Sequence, residues 1–134
     1  MLDLTSLSLT LILVGLIWMV QVVHYPFFQW VPEERFLQAM DFHQRRISLI
    51  VIPLMILELG VTTFRVMSSP ALLTILEAMA LSGIWASTFF IQVPLHQSLI
   101  SDPKSEHISK LVRTNWIRTS LWSLKGIFAI LAYL

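Results

Sequence analysis

The sequence predicts an all-α integral membrane protein, an antiparallel four-helix bundle made by one four-span domain over residues 1–134. Composition is the first observation behind this. Of 134 residues, 56% are hydrophobic and only 13% charged, against roughly 45–50% and about 25% in an average soluble domain. The second is a mean hydropathy of +0.75, more Leu, Ile, Phe and Trp than a water-soluble globule of this size can bury. The third is the run of four apolar stretches, each near the ~20 residues that cross a bilayer, joined by short polar connections. A net charge of +1 gives no reason to expect a nucleic-acid partner. The absence of cysteine excludes disulfides, iron–sulfur clusters, thiol relays and thiolate zinc sites.

The first span is expected at 6–25. From Leu4 to Pro32 only His24 can carry a charge, and Tyr25-Pro26-Phe27-Phe28-Gln29-Trp30 supplies aromatic rings suited to the headgroup level. Asp3 in place of a basic residue, and no small-x-small cleavage site, argue against a signal peptide. Pro32-Glu33-Glu34-Arg35 opens the second helix. Its start, with Asp41, His43, Arg45 and Arg46, suits the interface, and the span covers 45–66 with Glu58 inside it. Ser68-Ser69-Pro70 makes a turn into a third span over 71–95, with Glu77 near its start and Pro94 near its end. A polar loop from Ser98 to His107 contains Asp102-Pro103, and the fourth span covers 113–133, which draws Arg118 and Lys125 into the membrane zone. Gly15, Gly60, Gly83 and Gly126, one per span, would permit close helix contact. The five Trp and Tyr25 read mostly as interfacial belt residues. Short connections favour an up-down arrangement, and no repeat or long linker divides the chain.

The connections after spans one and three, with their adjoining helix ends, carry Arg35, Arg45, Arg46, Lys104, Lys110, Arg113 and Arg118. The opposite side offers Arg65. The positive-inside rule therefore places those connections in the cytoplasm and both termini outside, the bacterial inner membrane being the expected location. His24, His43, His96 and His107 then all fall near the cytoplasmic face. Gln21 and Gln92 precede His24 and His96 by three and four positions, one turn deeper on a similar face. Pro94 frees the carbonyl of Phe90 close by. On the fourth helix, Thr114, Arg118, Trp122 and Lys125 lie within about 60° of His107, with Asn115 at the edge of that face. Charges in a bilayer face the protein interior unless hydrated, so Glu58 and Lys125, at similar depths, are expected to form a buried ion pair. Glu77 and Arg65 are expected to interact near the far side.

Each of these groups also has a structural reading. Glu58–Lys125 could fix helix register or could handle protons. Arg118 could snorkel to headgroups or bind a substrate oxygen. His107 reads as a solvated loop residue, and His43 as interfacial or functional. The histidine boxes of desaturase-type hydroxylases are missing, as are H-E-x-x-H and E-x-x-H patterns. A smaller site stays open, with His24, His43 and His96 holding copper, iron or zinc, or with His24 and His96 ligating haem. No inverted repeats point to a transporter.

Val93-Pro94-Leu95-His96-Gln97-Ser98-Leu99 and Asn115-Trp116-Ile117-Arg118-Thr119, with His24-Tyr25-Pro26 in looser agreement, resemble the pattern of the anthrone oxygenase-like family of small four-span membrane proteins. The resemblance implies oxygenation of a polycyclic phenolic substrate without an established cofactor. Independently, a pocket apolar below and polar above suits a flat, lipid-soluble phenol or quinone-like molecule. His24 or His96 would act as base, while Arg118 and Asn115 would stabilise an oxyanion. The alternative is a non-catalytic haem- or metal-binding subunit of a larger complex. Association with further copies of the chain stays open.

Overall fold

A computed structural model describes residues 1–101 and 105–134. Asp102-Pro103, at the centre of the expected polar loop, lies outside the described residues. Among the described residues the chain is helical and has no strand. Four helical stretches follow one another: α1 over Leu2–Trp30, α2 over Glu33–Ser68, α3 over Leu72–Ser101 and α4 over Ser105–Tyr133.

Prolines shape α1 and α3 at matching places. A proline inside a helix cannot donate its backbone hydrogen bond and crowds the carbonyl four residues back. Both helices relieve this by widening into a π turn just before the ring. In α1 the π turn covers Val20–His24, and the Tyr25 N–H donates to the Val20 carbonyl, five residues back. In α3 it covers Thr88–Gln92, and the Val93 N–H donates to the Thr88 carbonyl. Each helix therefore continues past its proline, and α1 ends in a 3₁₀ turn over Phe28–Trp30 rather than near residue 25. Pro53 lies inside α2, which runs on through it for 36 residues, roughly 54 Å. That exceeds the ~30 Å hydrocarbon core, so the polar turns from Glu33 to Arg46 extend beyond the apolar section.

Contact partners fix the directions of the helices. Between α1 and α2, Asp3 meets Arg65, Thr10 meets Glu58 and His24 meets His43. One number rises while the other falls, so the two run antiparallel. The same pattern joins α3 to α4 through Glu77 with Lys125 and Gln92 with Thr114. It also joins α1 to α4 through Gln21 with Asn115 and Trp18 with Ser123. Helices α2 and α3 pack together beside the turn that links them, through Arg65 and Glu77.

The distribution of polarity is the reverse of a water-soluble fold. Leu49, Ile52, Ile56, Phe64, Met79 and Phe90 are exposed, while Glu58, Glu77, Asn115, Thr119 and Lys125 are fully buried. Such an outer surface needs an apolar solvent. Among the described residues, α1, α2 and α3 are long and apolar enough to cross a membrane. Helix α4 also carries Lys110, Arg113, Arg118 and Lys125 among its apolar residues.

Two sequence expectations change here. Tyr25 and Trp122 are interior residues rather than belt residues, at 4% and 1% exposure, whereas Trp30 is 83% exposed. Of the four glycines, only Gly83 and Gly126 sit at close helix contacts. A Cβ there would lie 3.1 Å from Leu121 Cδ1 and 3.3 Å from Val14 Cγ2, while one at Gly15 or Gly60 would meet nothing within 4 Å.

Candidate functional site

Helices α2 and α3 diverge from their shared turn, and the space between them is a cleft of about 560 Å³. One wall is a single face of α2, carrying His43, Ile47, Val51 and Met55 at intervals of four, with Ser48 beside them, the spacing of one helix side. The opposite wall is the face of α3 with Trp85, Thr88, Phe89, Gln92 and His96. Helix α1 supplies Leu13, Ile17, Val20 and Tyr25, and α4 closes the floor with Arg118 and Trp122. Polar groups gather at one end, where Tyr25, His43, Gln92, His96 and Arg118 meet. The remainder is lined mostly by Leu, Ile, Val, Met, Phe and Trp side chains, with Gln44, Ser48, Thr88 and Gln97 among them. The volume and the apolar lining with a few convergent polar groups fall in the usual range for small-molecule sites.

The polar end is held from beneath. The π turns leave Gln21 and Gln92 buried at 2% exposure each, and both reach α4. Gln21 Nε2 donates to the Val112 carbonyl at 3.0 Å, and its Oε1 accepts from Asn115 Nδ2 at 2.9 Å and Thr119 Oγ1 at 3.2 Å. Asn115 Oδ1 in turn accepts from Arg118 Nη1 at 3.3 Å. Gln92 Nε2 donates to Thr114 Oγ1 at 3.2 Å. The Arg118 guanidinium lies against the Tyr25 hydroxyl, and its Nε is buried without a hydrogen-bond partner. Neither Gln21 nor Asn115 lines the cleft. They orient the arginine that does.

His96 is fixed in one tautomer. Its Nδ1 lies 2.8 Å from the Gln92 carbonyl, and a carbonyl can only accept, so Nδ1 carries the hydrogen and Nε2 keeps its lone pair. That leaves Nε2 able to accept a proton or a hydrogen bond. The Tyr25 ring packs edge-on against His96 at 5.8 Å and near His43 at 6.2 Å. His43 also meets His24 at 5.3 Å and Phe28 at 5.2 Å between ring centroids. His24 stands behind His43 rather than in the cleft wall, and its Nδ1 is buried without a partner.

Of the residues singled out in the sequence, His96 and Arg118 share the cleft, with His43 beside them. His24 and Asn115 sit one layer behind, and His107 lies on α4, partly buried, not in a loop. His24, His43 and His96 do not form a three-ligand set. Among the described residues no group of three His, Cys, Asp or Glu side chains is placed to hold a metal ion. Sequence reasoning missed Tyr25, Gln44 and Ser48 as cleft residues. Tyr25 was masked by the aromatic run around it, and its adjacency to His24 and Pro26 was the available signal.

Glu58 and Lys125 form a second polar cluster beyond an apolar layer of Leu13, Ile17, Met55, Leu81, Ile84 and Trp122. Lys125 Nζ donates to Glu58, to Thr10 Oγ1 at 2.9 Å and to Glu77 Oε2 at 3.3 Å. Thr10 donates to Glu58 at 2.6 Å. Arg65 Nη1 binds both oxygens of Glu77 at 2.9 Å and Ser6 at 2.9 Å, while its Nε reaches Asp3 at 3.0 Å. The four innermost charges, two acidic and two basic, cancel. The charges of this layer are matched between helices, while Glu58 Oε2 is buried without a hydrogen-bond partner.

No protein-family model, curated protein or solved structure matches the chain.

Proposed function

We propose that this protein is a four-span membrane protein whose cleft binds a flat, lipid-soluble phenolic or quinone-like molecule and performs acid–base chemistry at it, as an oxidoreductase for such substrates requires. One observation carries this reading: a 560 Å³ apolar cleft that ends at Tyr25, His43, His96 and Arg118. The apolar walls suit a fused-ring body, and the polar end suits its oxygens. His96 Nε2 is the acceptor available for a proton, and the guanidinium is the group suited to oppose negative charge on a ligand oxygen. Tyr25 offers a hydroxyl between them.

Helix α4 completes the antiparallel bundle in this reading, because its Asn115, Arg118 and Lys125 all turn to partners on α1, namely Gln21, Tyr25 and Thr10. The bias of Lys and Arg puts the histidine end in the cytoplasm. Resemblance to the anthrone oxygenase-like family points to the same substrate class. Entry is from the bilayer between α2 and α3, whose outer residues Ile52, Phe89, Val93 and Ile100 are exposed beside the cleft.

The test is saturable quenching of tryptophan emission by 2-methyl-1,4-naphthoquinone with the protein in nanodiscs, since Trp85 and Trp122 line the cleft. Ser48→Phe, which fills the cleft from α2, is expected to abolish the saturable component while the protein stays folded. Quenching that is linear in quinone, or unchanged by Ser48→Phe, refutes binding at this site. Turnover with a naphthol substrate is expected to fall at least about a hundredfold in His96→Ala, within the usual range for a lost general base.

A further inference from the structure

Among the described residues, Arg118 faces the polar end of the cleft without a counter-charge. The groups around it are Tyr25 from α1, His43 from α2, Gln92 and His96 from α3, and Asn115 and Trp122 from α4. None is acidic, and no ion pair involves Arg118 among the described residues. Glu58 and Glu77 are committed to Lys125 and Arg65, and Asp41 to Arg45. A guanidinium in such a setting is costly unless a negative charge joins it, and its buried Nε has nothing to donate to. The buried basic residues Arg65 and Lys125 are both paired with carboxylates, whereas Arg118 is half-buried. Arg118 differs from them in lining a cleft large enough for a ligand.

We propose that the ligand of this cleft is an organic acid already ionised when bound, a lipid-soluble molecule whose fused-ring or quinone-like body carries an oxyanion that pairs with Arg118. This rests on the ligand class proposed above and narrows it. A neutral phenol could supply the oxyanion only by passing its proton to His96, and the imidazolium would then stand beside Arg118 in a site without an acid. A pre-ionised ligand neutralises Arg118 and leaves His96 Nε2 free to act elsewhere on the molecule. The same charge could come from an acidic lipid headgroup entering between α2 and α3.

Two matched probes separate these outcomes. At neutral pH 2-hydroxy-1,4-naphthoquinone is an anion, and 2-methoxy-1,4-naphthoquinone is its neutral counterpart of similar shape. Isothermal titration uses the full chain in phosphatidylcholine nanodiscs, with empty nanodiscs subtracted. The anion is expected to bind roughly ten- to a hundredfold more tightly, the worth of a charged hydrogen bond. Arg118→Leu should erase that ratio by weakening the anion far more than the methoxy compound, and continued saturable binding of the methoxy compound shows that the cleft remains. Arg118→Lys should keep part of the preference. Equal affinity for the two probes in the unaltered protein, or a ratio that survives Arg118→Leu, overturns the anion requirement but leaves the quinone site standing. Failure of both probes to bind overturns the quinone-site reading itself. Loss of the preference in nanodiscs doped with phosphatidylglycerol overturns the assignment to a quinone-like acid and gives the anion site to a lipid headgroup.

Discussion

Removing the Lys125 amine is expected to destabilise the protein far more than removing it together with its partner. Lys125 and Glu58 are both 0% exposed, and Lys125 also donates to Thr10 and Glu77. Counting Glu58 and Glu77 as negative and Lys125 and Arg65 as positive, the buried layer sums to zero. Lys125→Met leaves one uncompensated negative charge, and Glu58→Met leaves one positive charge. Breaking one side of a buried pair costs about 3–5 kcal/mol, which corresponds to a fall of roughly 10–20 °C in Tm for a chain of this length. The double variant Glu58→Met, Lys125→Met returns the layer to neutrality, with Glu77 still held by both hydrogen bonds from Arg65. Thr10 then loses both partners but can turn its hydroxyl to a carbonyl one turn back, so the double variant should cost only about 1–2 kcal/mol. The assay is thermal unfolding in nanodiscs followed by tryptophan emission, with the four proteins forming a double-mutant cycle. The coupling should exceed about 3 kcal/mol. Additive single effects, or Lys125→Met within about 1 kcal/mol of the parent, would refute the matched-charge account of this layer.

Gln21→Leu should lower stability by about 1–3 kcal/mol, because it leaves Asn115 Nδ2 without its acceptor in an apolar interior; Gln21→Glu should not rescue it, since it buries a carboxylate in place of a neutral amide. The same unfolding assay checks both. Gly15→Ala and Gly60→Ala should be neutral or stabilising by up to about 1 kcal/mol, since each gains helix propensity and meets no neighbour. Gly83→Ala and Gly126→Ala should instead be destabilising by about 1 kcal/mol or more, because Leu121 and Val14 must give way; equal effects at all four positions would contradict the packing. Asn115→Leu should weaken binding of 2-hydroxy-1,4-naphthoquinone about threefold to tenfold by freeing Arg118 from its 3.3 Å contact, with the methoxy compound unaffected.

How far the site could be read from the chain is clearest at its own residues. Composition and the long apolar runs dictate helices, because in lipid each backbone group must find its partner within its own segment. The same runs place His24, His43 and His96 at one end, since antiparallel spans return each connection to one of two faces. Charges inside those runs had to turn inward, which brought Glu58 and Lys125 onto facing surfaces. Those inferences need only periodicity and the cost of burying charge. The cleft was beyond them. Whether two helices touch or diverge along their length depends on side-chain volumes contributed by all four helices together, and no local pattern encodes that sum. The π turns before Pro26 and Pro94 widen one turn of each helix, and the Gln21 and Gln92 side chains within them hydrogen-bond to α4. Asn115, bonded to Gln21, supports Arg118 rather than walling the cleft, and Tyr25 lies inside. A helical chain with an apolar exterior and a polar interior is legible in the residue pattern alone, because both follow from solvent and spacing. That Arg118 has no carboxylate partner among the described residues came from the packing of all four helices, because a missing counter-charge is a property of everything around a group.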